Sequence, residues 1–195
     1  DRTVYTHGYG AVGSAANTAT ADGTPQYLLR DIPPTGDIPL RQPRVYFGES
    51  TGGYVLVNAK SDEFDYPLKG QKDAYNRYEG DGGIKLSSLA RRLAFAVRFN
   101  DYNLLISGQV TPRTQMVFNR DIRSRVEQAT PFLTFDSDPY PVIVDGRIVW
   151  MLDGYTTSSS YPYSQPFAGE GALSGTFNYV RNPVKATVDA YTGQV

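Results

Sequence analysis

The sequence predicts an α+β fold: a mixed or antiparallel sheet with hairpins, and two principal helices in the middle of the chain. Three observations carry this expectation. Short runs rich in Tyr, Phe, Val and Leu, separated by turn residues, occupy both ends of the chain. Helix-spaced apolar residues are confined to the segment between residues 86 and 129. Asp145-Gly146 stands between two apolar runs as a hairpin turn, which groups strands around central helices instead of alternating them regularly. A length of 195 residues suits a single domain, and 40% apolar against 20% charged residues provides for a buried core.

Taken in order, Tyr27 to Arg30 and Arg44 to Phe47 read as short strands interrupted by Pro33-Pro34, Pro39 and Pro43. Ala11 to Ala21, composed of small residues with Thr and Asn, reads as a surface loop. Tyr54 to Ala59 reads as a strand, and the polar Asp62 to Gly83 as a loop closed by glycines. Leu86, Leu89, Leu93 and Val97 are spaced three and four apart and predict a helix reaching about Asn100, buried on that face. Phe95 and Phe99 lie on its opposite side, which predicts a helix sandwiched within the fold. Thr111 as N-cap and Pro112 at the first helical position predict a second helix. Its stripe would be Phe118, Ile122, Val126 and Ala129, with the arginines outward and a stop at Pro131. The hairpin of Pro141 to Val144 and Arg147 to Leu152 follows, its second strand apolar on both faces and hence central. Val184 to Ala190 reads as a last strand, and Thr192-Gly193 as a turn with its return arm missing. With Asp1 at the start in place of Met, the 195 residues read as a piece of a longer protein.

Composition excludes much chemistry. With no cysteine there is no disulfide framework, thiolate metal site or cysteine nucleophile. One histidine, His7, rules out sites needing two imidazoles. The sequence contains no Walker A loop and no S-x-x-K. Its longest apolar runs are about five residues, whereas a helical membrane span takes about 20. Nineteen Lys and Arg against 20 Asp and Glu leave a net charge of -1, which gives no general attraction to nucleic acid. The balance is uneven, since Lys85 to Glu127 carries eight basic residues against three acidic ones. Such a segment faces either solvent or an acidic partner.

Four features are candidates for function. The glycines around His7 allow a tight turn that would aim the imidazole into a cleft, or hold it against a carbonyl in a packed turn. Tyr155, Tyr161 and Tyr163 lie in a loop of Ser, Thr and Pro running to Phe167. Tyrosines presented this way make a contact surface for a sugar ring or a peptide. Asp136 and Asp138, beside a proline turn, supply oxygen ligands of the kind calcium takes, although no EF-hand pattern surrounds them. Paired carboxylates, helped by His7 or by calcium, would suit a hydrolase of cell-envelope polymers.

Several stretches taken together resemble one family. They include Tyr5 to Gly10 (YTHGYG), Val45 to Glu49 (VYFGE), Tyr54 to Pro67 (YVLVNAKSDEFDYP) and Arg77 to Ile84 (RYEGDGGI). Leu93 to Asn103 (LAFAVRFNDYN), Asp145 to Pro166 and Asn178 to Gly193 (NYVRNPVKATVDAYTG) continue the set, in order, over nearly the whole chain. The pattern resembles uncharacterised protein family 0182, a group of large bacterial membrane proteins. The resemblance implies a parent with an amino-terminal set of transmembrane helices and a large soluble region outside the cytoplasm, of which this chain is part. It implies no catalytic residues. The leading expectation is therefore an extracytoplasmic module of a cell-membrane protein that binds an envelope protein or glycan, with carboxylate-based hydrolysis as the alternative.

Overall fold

The computed structural model describes residues 1–195 and is sheet-rich, with short antiparallel sheets around a few helices. Every ladder between named strands is antiparallel; the two parallel pairings, Gln42 with Arg147 and Gly48 with Asp121, are isolated bridges. No helix is long and apolar enough to cross a membrane.

The centre is a three-stranded sheet of β6 (Val55–Val57), β10 (Gln115–Val117) and β9 (Ile84–Lys85), in that spatial order. Side chains alternate across a strand, and here both faces are covered. Val55, Val57 and Val117 join one core layer with Tyr46, Phe47, Ile122 and Leu152. Tyr54, Leu56 and Met116 join a second layer with Leu86, Ala96 and Leu104. This double coverage explains why Tyr54 to Val57 are all buried.

Beside the first layer lies the sheet of β11 (Thr134–Phe135), β12 (Tyr140–Val144), β13 (Arg147–Ser158) and β16 (Tyr179–Asp189), with β13 central. Asp145 and Gly146 both take positive φ, 51° and 78°, as the expected type I′ turn requires. Ile148 and Leu152 on β13 are buried, and the Trp150 indole N–H donates to the Phe47 carbonyl at 2.9 Å.

The helical segment departs from expectation in two ways. Helix α1 (Leu89–Phe99) starts after Leu86, capped by Ser88, and closes at Asn100 in the left-handed conformation. Its inward face is Phe95, Ala96 and Phe99, with the two phenylalanines packed against Phe118; Leu89, Leu93 and Val97 face solvent. The helix is thus covered on one side and not sandwiched, because the larger aromatic rings take the core side.

Thr111-Pro112 starts no helix. The Thr114 hydroxyl accepts from the Thr111 N–H, closing a turn, and the chain continues into β10. A one-turn helix α2 (Asn103–Ile106) precedes it, and α3 (Ile122–Ala129) begins ten residues later than Pro112, capped by Asp121. Ile122 and Val126 are buried as expected, but Ala129 is exposed and Arg120, expected outward, is buried.

Two segments expected as loops are hairpins. Within Ala11 to Ala21, β2 (Gly13–Ala19) pairs with β3 (Pro25–Arg30), which pairs with β4 (Thr35–Gly36). Within Asp62 to Gly83, β7 (Glu63–Tyr66) pairs with β8 (Ala74–Asn76). Remaining are β1 (Gly8–Tyr9) with β5 (Arg44–Val45), and β14 (Phe167–Gly169) with β15 (Gly175–Phe177). The β2–β3 hairpin and the far ends of β13 and β16 are largely exposed. The chain accordingly exposes 11956 Å², against about 9,200 Å² for a compact protein of its mass.

Candidate functional site

Strand β7 carries Glu63 and Asp65 inward, while Phe64 and Tyr66 pack on Tyr5 and Tyr9. This reverses the usual placement, and the surrounding donors explain how it is tolerated. Glu63 accepts from the hydroxyls of Tyr46 (2.7 Å) and Thr6 (2.6 Å) and from the backbone N–H of Asn58 and Tyr78 (3.1 Å each). Asp65 takes a two-pronged contact from Arg44, at 2.8 and 2.6 Å.

His7 joins the two acids. Its Nε2 lies 3.1 Å from Asp65, its Nδ1 lies 2.8 Å from the Thr6 hydroxyl, and its ring packs on Tyr46. Burial holds its pKa below the usual 6.5, against the opposing pull of Asp65 and Glu63. Arg120 closes the far side by donating to the carbonyls of Tyr46 (2.7 Å) and Thr6 (2.8 Å), and burial draws its pKa down to about 10. The His7 side chain is 0% exposed, and Glu63 and Asp65 are nearly so. A hydrolytic pair must meet water and substrate, whereas these acids are sealed and saturated with donors. The cluster ties the Tyr5–Gly10 segment to the fold.

The tyrosine candidates lie elsewhere, on the arm formed by the far ends of β13 and β16. Asn178 organises the arm's loop: its side chain accepts from the Tyr161 N–H (3.0 Å) and donates to the carbonyls of Tyr161 (2.8 Å) and Ser164 (3.1 Å). Ser164 returns a hydroxyl to the Asn178 carbonyl. Tyr161 stacks on Tyr179, ring centroids 5.1 Å apart and planes 14° from parallel. Tyr163 stands fully in solvent with φ of 59°. Next to the stack, Phe167, Leu173, Phe177, Tyr179 and Val180 enclose an apolar hollow of about 370 Å³. Tyr179 belongs to both stack and hollow, so the two form one aromatic surface. Tyr155 is set apart from it, half-buried in a smaller hollow beside Asp136 and Glu170.

Asp136 and Asp138 lie in the turn between β11 and β12. Asp136 accepts from its neighbour's N–H, Ser137, at 2.6 Å, and Asp138 is exposed. No group of three or more His, Asp or Glu side chains is placed to hold a metal ion, so this turn offers calcium no carboxylate cluster.

Sequence reading missed two features. One is the exposed row of Leu89, Leu93 and Val97; the other is a cavity bordered by Lys60, Arg77, Lys85 and Arg113. Those cations are scattered over 54 positions, and only Lys85 and Arg113 lie in the basic segment.

Comparison with known proteins gives one answer. The model of the Uncharacterised protein family (UPF0182) matches residues 1–195. A UPF0182 protein of Desulforamulus reducens is 49% identical over 197 residues, covering all of this chain and 20% of the relative. Relatives of the same name from Kineococcus radiotolerans and Pelotomaculum thermopropionicum are 46% and 45% identical, again covering the whole chain and 21% of each relative. The chain thus spans about a fifth of the length of the curated relatives it matches. No solved structure matches it. The chain belongs to the UPF0182 family.

Proposed function

We propose that this member of the family is a non-enzymatic, extracytoplasmic binding module of a membrane-spanning parent, and that it meets a partner protein through its aromatic arm. The observation that carries the reading is the continuous surface of Tyr161, Tyr179, Phe167 and Val180 around an apolar hollow, with Tyr163 projecting beside it. Exposed aromatic area held rigid by hydrogen bonds binds at low entropic cost, and an apolar hollow takes an aliphatic or aromatic side chain. The membrane-spanning parent and the extracytoplasmic side rest on the family resemblance, with which the absence of cysteine agrees.

A glycan is the second reading, favoured by the flat face of the Tyr161–Tyr179 stack. The hydrolase reading loses one candidate pair, because the acids beside His7 have no open face. Site-specific photo-crosslinking in the parent tests the proposal. A benzophenone amino acid at position 163 is expected to trap a discrete protein, and the same probe at the exposed Tyr75 is expected to trap none. Adducts to glycan alone favour the second reading; no adduct specific to position 163 overturns the arm as the contact surface.

A further inference from the structure

Chain segments distant in sequence converge at one end of the β6-β10-β9 sheet. Asn58 to Lys60 leave β6, Arg77 follows β8, Lys85 ends β9, and Thr111 to Arg113 turn before Gln115 opens β10. The ladder fixes them together, with Gln115 paired to both Val57 and Lys85. They enclose a cavity of about 690 Å³ whose nine lining residues include four cations and no carboxylate.

Arg77 is anchored there by Asp62 at 2.6 Å and by the Ala59 carbonyl at 3.3 Å. The ammonium groups of Lys60 and Lys85 and the guanidinium of Arg113 make no hydrogen bond or ion pair within the chain. Like charges brought together around one hollow repel one another, and a bound anion relieves that repulsion. Asn58, Thr111 and Gln115 add neutral polar groups to the lining.

We propose that this cavity binds a phosphate ester whose organic part is small and polar, of sugar or glycerol size. Phosphate offers several oxygens and up to two charges, matching a planar guanidinium and two mobile ammoniums better than a single carboxylate does. The volume exceeds what a phosphate group alone needs and lies in the range of small-molecule sites. Seven of the nine lining residues, all but Ala59 and Pro112, are polar or charged, which suits a polar organic part. Such a group has two sources, a soluble ester or a lipid headgroup. The Arg91 guanidinium, donating to the Lys85 carbonyl, ties helix α1 with its exposed Leu89, Leu93 and Val97 to the strand that carries Lys85.

Calorimetric titration of the full-length protein with glycerol phosphate, dihexanoyl phosphatidylglycerol and dihexanoyl phosphatidylcholine tests this. At least one of the first two is expected to bind, with affinity falling as salt rises. Each removed cation is expected to weaken binding about tenfold in the series Lys60→Ala, Lys85→Ala and Arg113→Ala. The melting temperature should hold, since those side chains make no bonds to lose. Binding of glycerol phosphate identifies the soluble source; binding of phosphatidylglycerol alone identifies the headgroup. No binding of either, equal binding of phosphatidylcholine, or undiminished binding by the triple variant overturns the proposal.

Discussion

Glu63 and Asn178 are both hubs of hydrogen bonds, and they differ in what surrounds them. Glu63 gathers four donors inside the core and is fully buried. Asn178 gathers three side-chain bonds on an arm where nearly every neighbour is open to water. The first hub fastens Tyr5–Gly10, β7 and the turn after β6 into one body. The second shapes a loop that packs on little else. Hydrogen bonds in the first case secure the fold, since a buried group left unpaired is costly; in the second they fix the presentation of Tyr161. The difference separates stability from contact within one chain.

That separation breaks most visibly at Glu63. Glu63→Ala leaves two hydroxyls and two backbone N–H groups without an acceptor, and a loss of about 3–5 kcal/mol in chemical denaturation is expected. His7→Ala should cost less, about 2 kcal/mol, because Asp65 keeps Arg44 and Glu63 keeps its other donors. If His7→Ala instead leaves stability intact, the buried cluster is not what holds the Tyr5–Gly10 segment.

Two pH windows sharpen the comparison. The His7 pKa is lowered by folding, so its stabilising effect is complete above 6.5 and declines as pH falls below that value. His7→Gln should flatten this slope in denaturation measured across pH 5 to 7. For Asp189, burial would raise the pKa, but Arg147 at 2.8 and 3.0 Å and the N–H groups of Tyr191 and Thr192 hold it below 3.8. Its contribution is present above that value and lost as pH falls through the lower folded pKa, and Asp189→Asn should remove that acid loss. On the arm the expected stability effect is smallest. Asn178→Ala should stay within about 0.5 kcal/mol of the parent while hydrogen exchange at Tyr161 to Ser164 accelerates.

Local chemistry was legible where it decided the structure alone. Asp145-Gly146 set its turn through positive φ, and the apolar run from Tyr54 announced a strand, although its burial on both faces emerged only from the packing. Legibility failed where two structures share one signal. Thr111-Pro112 begins a helix or a turn with equal chemistry, and the cross-strand partners of β10 chose the turn. Spacing revealed a stripe on α1, but packing chose its aromatic side over Leu89, Leu93 and Val97. The cluster around His7 was hidden because its acids lie more than 55 positions away, on a segment whose polarity suggested a loop. The tyrosine loop was visible in composition, while its organiser, Asn178, and the hollow beside it were not.

The central claim is that the aromatic arm makes contacts the fold does not need. It is tested most directly by purifying the full-length parent from its own membranes with and without Tyr161→Ala and Tyr163→Ala, and quantifying the partner retained by mass spectrometry. The predicted result is loss of a stoichiometric protein partner from a variant whose melting temperature is unchanged. Full retention of that partner by the same well-folded variant would contradict the account.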